Sequence, residues 1–183
     1  QLKGHNVLIT GGTKGIGRAI AETLSDEGCN IALCARNPDD VAAAQESIAA
    51  KGVKVAAQAL DVADADAFTA WIAEAGETLG GIDAFVSNVS GSNGKGDDGW
   101  ISQFNYNILS AVHGVEACKP FFANSSNPSV VMISTTAALE HFMNAGPYNA
   151  MKAGLLNYSG ALSQELGANG VRVNAISPGP VFI

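Results

Sequence analysis

The stretch that decides the fold reads VLITGGTKGIG and occupies residues 7–17. Its apolar start ends at Thr10, a glycine-rich turn follows, and an Ala-rich pattern with helical spacing begins at Ile16, so we predict a strand, a turn and a helix. Glycines let the backbone adopt left-handed angles and approach a diphosphate closely, and the N-terminus of the following helix attracts the anion. A dinucleotide is therefore the expected ligand of this turn, with an ordinary tight turn as the alternative.

Two features depart from the pattern G-x-G-x-x-G followed by an acidic residue that is typical of NAD-binding folds. Ile20 stands where the third glycine would be, and the spacing here is T-G-x-x-x-G-x-G. The place of the acidic residue, at the end of the second predicted strand, is taken by Ala35, with Arg36 next to it. Arg36 and Lys14 would suit the 2′-phosphate of NADP, although both could equally be solvated loop cations.

Strand and helix patterns alternate along the rest of the chain. Further strands are predicted over residues 30–35, 53–59, 84–88, 130–133 and 171–176. Helices are predicted over about 39–50, from an N-cap at Asp64 or Asp66 to about 79, over 100–122, and from 148 to about 166. This alternation predicts an α/β fold with a doubly wound parallel sheet of the Rossmann type, right-handed crossovers, and helices on both faces.

The composition bounds the class of protein. The chain has 183 residues, 47% of them hydrophobic and 15% charged, with a formal net charge of −7. These values suit a single domain, residues 1–183, whose strands are covered on both faces, and they argue against a nucleic-acid partner. No apolar run approaches a membrane span and no signal-peptide h-region is present, so we expect no membrane partner and a cytoplasmic location.

The cysteines and histidines show no metal or redox spacing. Cys29, Cys34 and Cys118 are expected to be small core residues in a reducing compartment. The histidines at positions 5, 113 and 141 form no ligand set, so no metal site is predicted.

The strongest candidate for catalysis is the pair Tyr148 and Lys152. Spacing of i and i+4 places both side chains on one face of a helix, and Pro147 suits the first helical position, so Tyr148 lies close to a helix N-terminus. The helix end and the ammonium both favour a phenolate, which predicts a proton donor, although such a spacing also arises by chance.

Other polar candidates lie at strand ends and in one helix. Asp61 follows the third strand and would accept a bond from an adenine amino group or cap the next helix; we favour the adenine. Ser134 and Thr135 follow the fifth strand, at the edge where open α/β sheets bind ligands, or they are turn residues. Asn107 sits in the middle of an apolar helix and needs a partner unless that position is exposed.

With these pieces placed, the sequence resembles the classical subgroup of the short-chain dehydrogenase/reductase family over nearly its whole length. The resemblance rests on motifs in the family's order and spacing: Thr10-Gly11-x-x-x-Gly15-x-Gly17, Asp61-Val62, Asn88, Asn107, Tyr148-x-x-x-Lys152, Arg172-Val173-Asn174 and Pro178-Gly179. Together with the residues discussed above, it implies a cofactor site made of Gly11, Thr13, Lys14, Gly15, Ile16, Gly17, Arg36, Asp61, Val62, Asn88, Tyr148, Lys152, Pro178 and Gly179.

The resemblance also implies roles. Tyr148 would be the general acid/base, Lys152 would bind the nicotinamide ribose and favour the phenolate, and Asn107 would hold a water in a proton relay. The family's catalytic Ser lies thirteen residues before the Tyr, a spacing that lands on Thr135 here, with Ser134 beside it.

Two further departures concern other parts of the chain. The family's Asn-Asn-Ala-Gly segment reads Ser-Asn-Val-Ser over residues 87–90. The chain also stops where the family continues with a substrate-covering segment and a last strand, so we expect a domain that lacks both.

The expected function is an NADP(H)-dependent oxidoreductase that interconverts a secondary alcohol and a ketone by hydride transfer, like carbonyl reductases, 3-oxoacyl-thioester reductases or sugar and alcohol dehydrogenases. A catalytically weak sensor or scaffold that binds a dinucleotide is the alternative, because Thr135 replaces Ser and residues 87–90 are altered. A methyltransferase would have no use for Tyr148 and Lys152. Three regions should determine which small-molecule substrate is accepted: the loop after Ser90, residues 138–144, and the segment expected beyond residue 183. Within the second region, His141, Phe142 and Met143 predict a partly apolar wall.

The helices starting near Trp100 and Tyr148 carry more apolar surface than one sheet face covers. In the second helix, Met151, Leu155, Leu162 and Leu166 form one stripe, while Ala150, Ala153, Gly154, Tyr158 and Ala161 spread around the remaining surface. This pattern predicts a homodimer or homotetramer built on these helices, unless neighbouring helices of the same subunit cover them.

Overall fold

The computed structural model describes residues 2–91, 94, 96–141 and 146–181. Among these residues a single sheet contains six strands: β1 Asn6–Thr10, β2 Asn30–Ala35, β3 Val55–Ala59, β4 Ala84–Ser87, β5 Ser129–Ile133 and β6 Arg172–Ile176. All neighbouring strands are parallel, and their order is β3-β2-β1-β4-β5-β6. This order reverses direction between β1 and β4, and it confirms the predicted doubly wound α/β fold.

In the described part of the chain, six α-helices connect the strands: α1 Gly15–Asp26, α2 Pro38–Ala49, α3 Ala65–Leu79, α4 Gly96–Phe104, α5 Ser110–Phe122 and α6 Pro147–Gly167. Their starts follow from local chemistry. The Asn37 side chain accepts bonds from the first free N–H groups of α2, and Asp64, one of two predicted caps, accepts a bond from Ala67 at the start of α3. Pro147 occupies the first turn of α6, as predicted.

The prediction of one uninterrupted helix over residues 100–122 is wrong. Helix α4 begins earlier, at Gly96, and a π-helical turn over Asn105–Leu109 separates it from α5. At its end the Ser110 N–H bonds to the Asn105 carbonyl, five residues back. Such a turn rotates the faces of α4 and α5 relative to each other, so the apolar residues of this segment lie on more than one face.

The core has two layers because side chains alternate across the sheet. Leu8 points to the layer that also contains Phe68, Phe85 and Met132, and this layer packs against α3, α5 and α6. Val7 and Ile9 point to the other layer, which packs against α1 and α2. All three cysteines are free and buried in these layers, as predicted.

One half of the second sheet face is not covered by a described helix. An apolar groove lies there between α1 and strands β4 to β6, lined by Val86, Val131 and Ile176 from the strands and by Ile16 and Ile20 from the helix. Ile176 is 51% exposed in this groove. The prediction of helices on both faces is confirmed, but their coverage is unequal. No helix among the described residues is long and apolar enough to span a membrane.

Candidate active site

A cavity of about 370 Å³ opens at the carboxyl edge of the sheet, where β1, β2, β3 and β4 end. Six residues predicted to bind the cofactor line it together: Gly11, Thr13, Lys14, Arg36, Asp61 and Val62. Gly15 and Ile16 line the apolar groove beside α1 instead. The cavity lies at the point where the strand order reverses, which is where open α/β sheets bind their ligands.

The glycine turn at the floor of this cavity is held from both sides. Gly11 donates its backbone N–H to the Cys34 carbonyl of β2, at 2.9 Å. From the β4 side, the Asn88 amide donates to the carbonyls of Thr10 and Gly11, at 3.0 and 3.3 Å. The Asn88 backbone N–H donates to the Thr10 hydroxyl at 3.0 Å. Asn88 therefore shapes the turn rather than lining the cavity.

Three glycines make this turn possible. Gly11 and Gly15 have φ angles of 67° and 54°, in the left-handed region that favours glycine. A Cβ at Gly17 would collide with the Gly11 carbonyl oxygen and the Asn88 amide. The result is a cradle of backbone at the N-terminus of α1, a helix of 12 residues, and this arrangement fits a diphosphate.

The rim of the cavity carries the charged groups. Lys14 forms an ion pair with Asp40 at 2.6 Å, and Arg36 lies over the ring of Tyr106, 5.7 Å from its centroid. Asp61 accepts bonds from the Ala63 N–H at 3.0 Å and from the Tyr106 hydroxyl at 2.6 Å. Asp61 thus lines the cavity but does not cap α3, a role that Asp64 has.

The other candidate residues gather where β5 and β6 end. The Lys152 ammonium is buried, with its residue only 3% exposed, and donates to the Ile133 carbonyl at 2.7 Å. Burial lowers the pKa of Lys152 to about 8. Tyr148 is half-buried in the first turn of the same helix, α6. The backbone of this edge is tied together by a bond from the Thr136 N–H to the Pro178 carbonyl, at 3.0 Å.

The two candidate hydroxyls differ in what they bind. Ser134 is buried, and its hydroxyl donates to the backbone carbonyl of Lys152 at 3.0 Å. The Ser134 hydroxyl proton is therefore used in a hydrogen bond within the protein. Thr135 is half-buried and accepts a bond from the Ala137 N–H at 3.3 Å, capping the 3₁₀ turn Thr136–Ala138. Accepting this bond leaves the Thr135 hydroxyl proton available to donate.

Asn107 is fully buried, so the exposed alternative for this residue is wrong. Its amide nitrogen donates to the backbone carbonyl of Gln103 at 2.9 Å and to the Gln103 side-chain oxygen at 2.5 Å. The Gln103 side-chain nitrogen donates to the Gly91 carbonyl at 2.9 Å, which fixes the direction of both amides. The Asn107 side-chain oxygen is left without a partner among the described residues.

Gln103 and Tyr106 are the residues that the sequence did not single out. Gln103 lies in the last turn of α4, and Tyr106 lies in the π-helical turn that follows it. A regular helix over this segment would direct Tyr106 elsewhere. Gln103 is 0% exposed, but no signal in the sequence pointed to it, because burial is not visible in one sequence. Of the predicted wall residues, His141 is exposed, and Phe142 and Met143 lie outside the described residues.

Comparison with known proteins shows the family of this chain. A family model for short chain dehydrogenases matches residues 5–182. Isoepoxydon dehydrogenase of Penicillium expansum is 35% identical over 189 residues, which cover 99% of this chain and 72% of that protein.

Solved structures show the same fold. L-Sorbose reductase from Gluconobacter frateurii, complexed with NADPH and L-sorbose, gives a TM-score of 0.93 at 31% identity, covering 98% of this chain and 71% of that one. Carveol dehydrogenase from Mycobacterium avium, in complex with NAD, gives a TM-score of 0.89 at 26% identity, covering 96% of this chain and 70% of that one. The chain therefore belongs to the short-chain dehydrogenase/reductase family and is an oxidoreductase of alcohols and ketones that uses NAD(P).

Proposed function

We propose that this protein is an NADP(H)-dependent oxidoreductase that interconverts a secondary alcohol and a ketone, with Tyr148 as the proton donor and acceptor. The observation that carries the proposal is the buried ammonium of Lys152, one helical turn after Tyr148, which donates to the Ile133 carbonyl at the end of β5, two residues before Thr135. A buried cation near a phenol stabilises the phenolate that forms when the proton leaves. A phenol of this kind suits proton transfer to a carbonyl oxygen.

The cofactor would be held by the glycine cradle of Gly11 and Gly17, by the rim residue Arg36, and by Lys152, and it would supply or accept the hydride. Thr135 would donate a hydrogen bond to the substrate oxygen, and one such oriented donor is typically worth about 2.7–4 kcal/mol in the transition state. Ser134 would not contact substrate, because it holds the Lys152 backbone. The unpartnered oxygen of Asn107 would accept a bond from a relay water.

A preference for NADP(H) is supported by the rim of the cavity. Ala35, at the end of β2, offers no carboxylate to a ribose 2′-hydroxyl, and the neighbouring Arg36 is positively charged and exposed. Lys14, which is 74% exposed, adds a second cation, although Asp40 pairs with it. The structure of L-sorbose reductase contains NADPH, whereas that of carveol dehydrogenase contains NAD, so relatives of this chain use both cofactors.

The proposed substrate is a small molecule with a carbonyl or alcohol group, and the proposed location is the cytoplasm. Reduced, buried cysteines suit a reducing compartment. The sensor alternative is less favoured, because Tyr148, Lys152 and Asn107 are all present, with Lys152 and Asn107 buried.

We also propose a homodimer or homotetramer. Trp100, Ile101 and Phe104 of α4 are 46%, 57% and 41% exposed, and Ala150 and Gly154 of α6 are exposed as well. Apolar residues on two packed helices are a common surface for two-fold contacts.

Two measurements test the function. Fluorescence titration with NADPH and NADH measures cofactor affinity, and a turnover screen with ketones, sugars and acyl thioesters measures activity. Tight NADPH binding with turnover supports the proposal. Binding without turnover of any substrate favours the sensor, and the absence of dinucleotide binding refutes both.

A further inference from the structure

Arg36, Tyr106 and Asp61 form a chain of contacts along one wall of the cofactor cavity. The Arg36 guanidinium lies 5.7 Å from the centroid of the Tyr106 ring, and the Tyr106 hydroxyl donates to Asp61 at 2.6 Å. All three residues line the cavity. Tyr106 thus joins a side chain that follows β2 to one that follows β3.

Tyr106 is fixed at both of its ends. Its backbone lies in the π-helical turn, and its carbonyl accepts a bond from the Ser110 hydroxyl at 2.6 Å. Burial, and next the hydrogen bond to Asp61, raise the pKa of the Tyr106 phenol, so it remains a protonated donor to the carboxylate at neutral pH. A ring held in this way can restrict a long cation that lies on its face.

Arg36 is the rim cation that no carboxylate neutralises. Lys14 is paired with Asp40 at 2.6 Å, whereas Arg36 has no acidic partner within ion-pair distance in the part of the chain that the structure describes. An exposed arginine ordinarily samples many rotamers, and ordering it costs conformational entropy when it binds an anion. The ring of Tyr106 reduces that cost, because the guanidinium is already placed at the cavity wall.

We propose that Tyr106 is the positioning residue for coenzyme discrimination: its ring, anchored through Asp61, holds Arg36 where it meets the 2′-phosphate of NADP(H). The inference rests on the proposed NADP(H) dependence. In this role Tyr106 acts through Arg36. It therefore affects the affinity for a coenzyme with a 2′-phosphate but not for one without it.

The test measures dissociation constants of NADPH and NADH at one ionic strength, and compares their ratio among variants. Arg36→Ala should lower the preference for NADPH by about tenfold or more, as expected for a lost charge-assisted contact. Tyr106→Leu should lower it by about two- to fivefold, the usual range for an exposed cation–π contact. In the Arg36→Ala background, Tyr106→Leu should leave the ratio unchanged.

Two further variants keep the test decisive. Tyr106→Phe retains the ring but loses the anchor to Asp61, so it should give a smaller loss of preference, and it decides the question if Tyr106→Leu does not fold. Phe121→Leu removes an aromatic of α5 that packs against Gly76, away from the cavity, and should preserve the wild-type ratio.

The outcomes separate the two proposals. A wild-type protein without NADPH preference refutes the cofactor assignment itself. A wild-type preference that disappears in Arg36→Ala but is unchanged in both Tyr106 variants overturns the role of Tyr106 alone. Equal losses of NADPH and NADH affinity in Tyr106→Leu also overturn it, because they assign Tyr106 to the part of the cofactor that both coenzymes share.

Discussion

Tyr148 differs from the other tyrosines in having Lys152 one helical turn away, on a helix that begins with Pro147. Replacing Tyr148 by Phe removes only the transferable proton. We expect Tyr148→Phe to reduce turnover by about 10²–10⁴-fold while NADPH affinity stays within about twofold of wild type. Steady-state kinetics and fluorescence titration measure the two quantities.

A matched control for this variant lies on the same helix. Tyr158→Phe removes a phenol from α6 ten residues further on and should leave turnover unchanged. If both variants turn over like wild type, Tyr148 is not the proton donor.

Lys152 gives the stability of the cofactor-free protein a specific pH dependence. Burial lowers the folded-state pKa to about 8 from an ordinary value of 10.5, so between these pH values the unfolded chain binds more protons than the folded one. The contribution of Lys152 to the free energy of unfolding therefore rises as the pH increases from about 8 to 10.5, by at most about 1.4 kcal/mol per pH unit.

Urea denaturation from about pH 7.5 to about pH 10 measures this effect, with Lys152→Met as the reference because Met cannot titrate there. The unfolding free energy of wild type should rise relative to the variant as the pH increases. A difference that is constant with pH would show that the ammonium is not desolvated.

At the scale of single elements, local signals in the sequence predicted most boundaries. The Asp64 cap, Pro147 and the glycine turn each act within a few residues, so their effects are readable from sequence. The break at Asn105–Leu109 is different, since it is stabilised by the buried contacts of Asn107 with Gln103. Those contacts, and the position of Tyr106, depend on tertiary packing that periodicity does not reveal.

The junction of β1 and α1 tolerates no side chain at Gly17. A methyl group there would meet the Gly11 carbonyl oxygen and the Asn88 amide, so the turn would have to shift. We expect Gly17→Ala to lower the melting temperature by several degrees and to weaken NADPH binding at least tenfold, measured by calorimetry and titration.

Gly160→Ala is the control, because Gly160 lies inside α6 in open space, where an added methyl group would meet no neighbouring atom, and alanine favours helix there. It should stabilise the protein by about 0.5–1 kcal/mol. A Gly17→Ala protein that behaves like Gly160→Ala would show that the turn adapts without cost.

At the scale of the whole molecule, the sequence predicted the parallel sheet, because alternating strands and helices admit few other topologies. It did not predict the groove beside α1. Val86 and Val131 are apolar whether a helix covers them or not, so composition alone could not distinguish a covered sheet face from an open one.

The exposed apolar residues of α4 support the proposed assembly, and this proposal makes a prediction. Sedimentation at micromolar concentration should show a dimer or tetramer for wild type and a smaller species for Ile101→Glu, since a buried charge would oppose the contact. Leu2→Glu, at an exposed position outside the helices, should sediment like wild type. A wild-type monomer that turns over refutes the interface.

The hydrogen bonds that hold the glycine turn between Cys34 of β2 and Asn88 of β4 also bear on the rate at which the cofactor associates. Because the turn is hydrogen-bonded on both sides before a cofactor binds, we expect association without a rearrangement of the protein. In stopped-flow mixing, the observed rate should then rise linearly with NADPH concentration, and a plateau would reveal a slow step. Diffusional encounter, and not a conformational change of the protein, would then limit the rate of cofactor binding.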